Sequence, residues 1–152
     1  MTKFIADVNV GKLAKWLRML GFDTLYDSQY EDAEIVRISL AENRIILTRD
    51  TGIAKRKSAK TCILIEDDES IRQLGQVIAE TGIEIDEDNA FTRCIICNTP
   101  LEAMKKEDVA GNVPPYIYET HNEFARCPKC DKIFWKGSHL AGMKSIIKRI
   151  QK

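Results

Sequence analysis

No stretch of this 152-residue chain approaches the roughly 20 consecutive apolar residues that a bilayer-spanning helix needs, so no such helix is expected. The opening apolar run meets Asp7 too early for a secretory signal peptide. An intracellular, cytoplasmic location is therefore expected, where reducing conditions leave cysteines free to bind metal. Several nucleotide-site signatures are also missing. After the first apolar run the sequence reads Asp7-Val8-Asn9-Val10-Gly11-Lys12, which is not Gly-x-Gly-x-x-Gly. There is no Walker loop and no Gly-x-Ser-x-Gly elbow, and Asn9 stands where an aspartyl-phosphate enzyme would more naturally carry a second Asp. Internal repeats and low-complexity tracts are absent as well.

Net charge is zero, with 23 basic and 23 acidic residues, but this balance hides a division. Residues 1–90 carry 12 Lys or Arg against 17 Asp or Glu, whereas residues 91–152 carry 11 against 6. An acidic half can hold cations while a basic half holds a polyanion. With 44% hydrophobic and 30% charged residues, the composition is that of a soluble globular protein. The length suits one compact domain plus a small stapled module.

The hydrophobic pattern alternates between strand and helix. Residues 3–7 form a short buried strand; Leu13, Trp16, Leu17 and Leu20 then fall at helical spacing, with Lys12, Lys15 and Arg18 on the other side. Residues 23–26 suit a second strand, 32–43 a helix, 44–48 a β-branched strand, 53–57 a short helix and 61–65 another strand. Ser70 and Gln73 form a capping box opening a helix that Gly82 ends. This alternation predicts an α/β fold, with a mainly parallel sheet covered by helices on both faces. The polar stretch 86–89 suits a boundary, giving units 1–89 and 90–152. A final helix is expected after Ser138, with Leu140, Met143, Ile146, Ile147 and Ile150 on one side and Lys144, Lys148, Arg149 and Lys152 elsewhere.

Two Cys-x2-Cys pairs, Cys94/Cys97 and Cys127/Cys130, are separated by 29 residues. Each pair makes a tight knuckle, and two knuckles complete a tetrahedral site for one structural Zn²⁺. Four thiolates leave no position open for water or substrate, so this zinc is expected to be catalytically silent. His121 and His139 are not needed as ligands, and Cys62 reads as a core residue inside a strand.

In a parallel sheet, ligands bind beyond the carboxyl ends of the strands. Asp7 ends the first strand, Asp50 follows the third, Asp67 and Asp68 follow the fourth, and Asp32 opens the second helix. Carboxylates gathered at one edge repel each other unless cations neutralise them, and oxygen-only ligands suit Mg²⁺ or Mn²⁺. Asp32 can equally be a helix cap, and Asp67 and Asp68 a solvated turn.

Residues 6–21, Leu47-Thr48-Arg49-Asp50, Val113-Pro114-Pro115-Tyr116, Trp135-Lys136-Gly137-Ser138-His139 and the four cysteines together resemble the PIN-like "Mut-seven C-terminal" RNase family along nearly the whole chain. The resemblance implies a PIN-like three-layer α/β/α nuclease core over 1–89 and a zinc ribbon with a basic helix over 90–152. It also implies one or two catalytic Mg²⁺ or Mn²⁺ ions held by Asp7, Asp32 and Asp50, with Asp67 or Asp68 as a fourth acid. Cleavage would leave a 5′-phosphate and a 3′-hydroxyl. Asn9 touches metal or caps the next helix in this reading. Lys12, Lys15 and Arg18 either hold phosphates of the expected partner, single-stranded RNA, or form a solvated helix face. Tyr116, Tyr118, Phe134 and Trp135 are candidate stacking surfaces. The alternative is a non-catalytic RNA- or ribosome-binding adaptor.

Overall fold

A computed structural model describes residues 1–56, 59, 61–135, 145, 146 and 148–150. The apolar run after Lys3 forms β1 (Phe4–Ala6), with every residue buried. It pairs in parallel with β2 (Thr24–Tyr26) on one side and β3 (Ile45–Thr48) on the other, and β4 (Cys62–Leu64) extends the sheet beyond β3. The order β2-β1-β3-β4 requires crossovers, which α1 (Gly11–Met19), α2 (Asp32–Glu42) and α3 (Thr51–Ala54) supply; α4 (Ser70–Thr81) follows β4.

Strand alternation builds the layers. Phe4, Ala6, Leu47 and Ile63 pack with Leu13 and Leu17 of α1 and with Leu74 and Val77 of α4. Ile5 and Ile46 point the other way, onto Ile35 and Val36 of α2 and Ile53 of α3. The predicted three-layer α/β/α architecture is thus observed, with every strand pair of this sheet parallel. Burying each such aliphatic side chain stabilises the fold by about 1.5–3 kcal/mol.

The start of α4 differs from the expected capping box. Glu69 is the N-cap and accepts a 3.3 Å bond from Ile71 N–H. Ser70 Oγ instead accepts from Trp16 Nε1 at 3.2 Å, and Gln73 Nε2 donates to the Asp67 carbonyl at 2.9 Å. Tertiary partners have taken the side chains that a local motif would use.

A second, antiparallel sheet is made of β5 (Glu102–Met104), β6 (Phe124–Arg126) and β7 (Ile133–Trp135). Helices α5 (Lys106–Val109) and α6 (Pro115–Thr120) lie between β5 and β6 in sequence. Its core is small: Val109, Ile117 and Phe124, backed by Met104, Ile133 and Trp135. So small a core needs a metal staple. Of the expected last helix, residues 145, 146 and 148–150 are helical, and Ile150 packs against the α1/α4 cluster. Ser138, His139, Leu140, Met143, Lys144, Ile147 and Lys152 lie outside the described residues.

The first unit and the cysteine unit meet around Asp23. Its carboxylate accepts from Arg44 Nη1 at 2.8 Å and Asn98 Nδ2 at 2.7 Å, and Arg93 Nη2 lies 3.9 Å away. Asn98 Oδ1 also accepts from Thr24 N–H at 2.9 Å. At Gly21 the backbone is left-handed (φ +93°), and a Cβ would stand 2.1 Å from the Asn89 carbonyl oxygen, so only glycine fits.

Burial raises the Asp23 pKa, but the hydrogen bonds from Arg44 and Asn98 outweigh it and leave the carboxyl below its ordinary value. A folded pKa below the unfolded value, about 3.9, stabilises the protein above that pH and ceases to do so as pH falls through the folded value. Asp23→Asn should therefore lower stability at pH 7 by about 2 kcal/mol and flatten its pH dependence below about pH 4, measured by urea unfolding across a pH series.

Candidate functional site

Three carboxylates meet at the carboxyl edge of the parallel sheet. One oxygen from each of Asp7, Asp32 and Asp50 lies within 4.8 Å of the other two. Asp7 follows β1 directly and is buried, Asp32 is half-buried at the first position of α2, and Asp50 is exposed. The side-by-side pairing of β1 and β3 delivers the first and third, with Ala6 opposite Leu47. Asp32 arrives where a helix N-terminus favours negative charge.

Hydrogen bonds orient two of the acids. Asp7 Oδ1 accepts from Val8 N–H and its Oδ2 from the Thr48 hydroxyl, both at 2.8 Å. Thr48 Oγ1 in turn accepts from Asp50 N–H at 2.9 Å, while Asp50 Oδ1 accepts from Gly52 N–H at 2.7 Å and caps α3. Asn9 Oδ1 accepts from Arg49 N–H at 3.3 Å. Thr48, fully buried between two of the acids, was not singled out from the sequence. Its position two residues before Asp50, at the end of a β-branched strand, is the signal that was available.

Asp67 and Asp68 are not part of this cluster. Asp67 Oδ1 accepts from Glu69 N–H at 2.8 Å, and this backbone bond, assisted by nearby Arg72, holds its carboxyl below the ordinary range. Asp68 instead borders a cleft of about 470 Å³ together with Asn9, Lys12, Lys15 and Gln73. Lys12 and Lys15 are exposed there, with no ion pair among the described residues. Arg18 is elsewhere. Rather than facing solvent with the two lysines, it is 3% exposed on the Ala14 side of α1. Its guanidinium donates to the carbonyls of Thr24, Ile95 and Ile96 at 2.8, 3.1 and 3.0 Å. With Nε and Nη1 so engaged and the side chain buried, Arg18 is not placed with the two lysines to hold a substrate phosphate. The i,i+4 relation of Arg18 to buried Ala14 was the missed clue.

The cysteines form the second constellation. Sγ atoms of Cys94, Cys97, Cys127 and Cys130 lie within 4.8 Å of one another. Cys94–Cys130 and Cys97–Cys127 sulfur separations are 4.0 and 3.5 Å. They bracket the edge of about 3.8 Å expected for a tetrahedron with Zn–S near 2.3 Å. The two knuckles are structural twins. Cys94 N–H donates to the Thr99 carbonyl and Cys127 N–H to that of Lys132, both at 2.9 Å. Asn98 and Asp131, directly after the second cysteine of each pair, adopt φ of 73° and 62° and close the turns. Burial raises the Cys97 thiol, but bonds with Thr99, Cys130 and Cys127 prevail and bring it to about 6. The bond with Cys97, followed by burial, pushes Cys130 up to about 12. Cys97 is thus pulled down while Cys94 and Cys130 are pushed up, and a divalent cation that binds such a cluster displaces protons. A structural Zn²⁺ is the ion this donor set fits.

His121 makes local contacts with Thr120 Oγ1 and the Ile117 carbonyl at 2.9 and 3.2 Å. Cys62 is half-buried in β4, and burial raises its thiol pKa. Of the candidate stacking aromatics, Tyr116 is 66% exposed, Tyr118 lies under Lys106 Nζ at 5.0 Å, and Phe134 and Trp135 line a groove of about 430 Å³.

Without a cation the four converging sulfurs would be left unneutralised, next to the knuckle carbonyls to which Arg18 donates. Metal analysis should find one equivalent of zinc. Treatment with a strong chelator should unfold residues 90–135 and lower the melting temperature of the parallel-sheet unit, followed by circular dichroism and hydrogen exchange. An unchanged exchange pattern around α1 would contradict the coupling.

No curated protein and no solved structure gives a match. The family model of the Mut7-C RNAse domain matches residues 2–147, which include both the carboxylate cluster and the cysteine cluster. The chain belongs to the Mut7-C RNAse domain family.

Proposed function

We propose that this protein is a metal-dependent ribonuclease that hydrolyses phosphodiester bonds of single-stranded RNA at Asp7, Asp32 and Asp50. The observation that carries the reading is the convergence of three carboxylate oxygens within 4.8 Å at the sheet edge. Among the described residues, the donors to these carboxylates are two backbone N–H groups and one hydroxyl on Asp7 and Asp50, too little positive potential for three like charges. An all-oxygen set of this kind fits one or two Mg²⁺ or Mn²⁺ ions. Such ions, when bound, activate water and stabilise the leaving oxygen, which gives a 5′-phosphate and a 3′-hydroxyl.

The remaining work belongs to the chain. Val8 N–H and the Thr48 hydroxyl fix both oxygens of Asp7, and Gly52 N–H fixes Asp50, so the carboxylates are aligned before substrate arrives. Lys12 and Lys15 are free to hold substrate phosphates beside the acids. Residues 1–89 form the nuclease unit. Residues 90–152, with the structural zinc and an excess of basic residues, assist RNA binding in the cytoplasm.

Asp7→Asn and Asp50→Asn should each reduce Mn²⁺-stimulated cleavage of single-stranded RNA by about a hundredfold or more, with the fold kept. Cleavage surviving both changes would place the chemistry elsewhere, and RNA binding with no cleavage by the unaltered protein would favour the adaptor. Thr48→Val keeps the shape but removes the bridge between Asp7 and Asp50. It should cost about 10–100-fold in activity and raise the Mn²⁺ concentration needed for half-maximal rate.

A further inference from the structure

The cleft beside the carboxylates has two chemically different walls. Lys12 and Lys15 of α1 supply free ammonium groups on one side. The start of α4 supplies acceptors on the other, through the exposed Asp68 carboxylate and the Gln73 amide. Gln73 is the unusual member, because it is only 4% exposed yet half of its amide is unused. Its Nε2 donates to the Asp67 carbonyl at 2.9 Å, and its Oε1 has no partner among the described residues. No sealed side-chain oxygen or nitrogen among those residues lacks a bond, so Gln73 Oε1 is not sealed, and Gln73 lines this cleft. That bond ties the Gln73 amide to the peptide between Asp67 and Asp68.

We infer that the cleft is a nucleotide subsite, in which Lys12 and Lys15 hold the phosphate while Gln73 Oε1 and Asp68 accept hydrogen bonds from the nucleoside. An anion at one end and N–H or O–H donors at the other describe a nucleotide, and a volume of about 470 Å³ lies within the usual range for small-ligand sites. Asn9 links this subsite to the chemistry, since it borders the cleft and holds Arg49 N–H, one residue before Asp50. The inference takes its ligand from the ribonuclease reading and gives Asp68 a recognition role in place of metal ligation. A buried acceptor left unpaired by the wrong ligand discriminates strongly, whereas lysines bind any phosphate.

The test is equilibrium binding, free of catalysis. Trp16, whose indole donates to Ser70 on the cleft wall, provides a fluorescence signal, and calorimetry provides a second. GMP, dGMP, AMP and inorganic phosphate are titrated into the full chain without added Mg²⁺ or Mn²⁺. The expected result is GMP bound at least about tenfold more tightly than phosphate. Asp68→Asn should reduce that preference severalfold, and Gln73→Leu likewise where it folds. Lys12→Ala should weaken both ligands alike. Preference lost with dGMP assigns the donor to the ribose hydroxyl, and preference lost with AMP assigns it to the guanine edge. Equal affinity for GMP and phosphate, or a preference that Asp68→Asn leaves unchanged, overturns the subsite. Because this binding assay needs no cleavage, a failed subsite and a failed nuclease reading give different results.

Discussion

The organising constraint is electrostatic: three carboxylates are held within 4.8 Å of one another at one sheet edge. Like charges this close repel one another. Backbone pairing of β1 with β3, the Thr48 bridge and the position of Asp32 at the first turn of α2 keep them together. The fold thus spends conformational freedom to create a site whose net charge calls for a cation. The neighbouring cleft takes its polarity from the same arrangement, because α1 leaves the edge directly after Asp7 and carries its lysines past the start of α4.

Much of this was legible in the sequence, for physical reasons that differ by residue. The strands and their order of appearance followed from short β-branched runs alternating with helical spacing. The acids at strand ends followed from the rule that parallel sheets gather ligands at one edge. The cysteine spacing fixed the second constellation almost alone. What could not be read was the tertiary use of polar side chains. Arg18 looked like part of a solvated helix face, yet it sits inside because three carbonyls converge on it. Ser70 and Gln73 had a local motif available, but Trp16 and the Asp67 carbonyl recruited them instead. Asp67 and Asp68 follow a strand end just as Asp50 does, but the turn into α4 leads them away from the other acids. Local pattern predicts where a backbone goes better than it predicts which distant group a side chain will meet.

The cysteine unit is bound to the parallel-sheet unit by groups with few alternatives. Burial lowers the pKa of Arg18, and the negative potential of Cys97, Cys94 and Asp23 opposes that only in part. Asn98 closes the first knuckle with a left-handed backbone and uses its side chain on Asp23 and Thr24. Each of these residues serves the metal module and the sheet at once.

Ile150, packed against α4 near Gly75, gives this arrangement a mechanical meaning. The cysteine unit is fastened at its beginning by Phe91, Arg93 and Asn98. The same chain returns to the parallel-sheet unit at Ile150, which packs against the α1/α4 cluster. A body attached at two separated points cannot pivot as a bead on a tether does. Fastened at both, the ribbon is a bracket on the parallel sheet rather than a pendant.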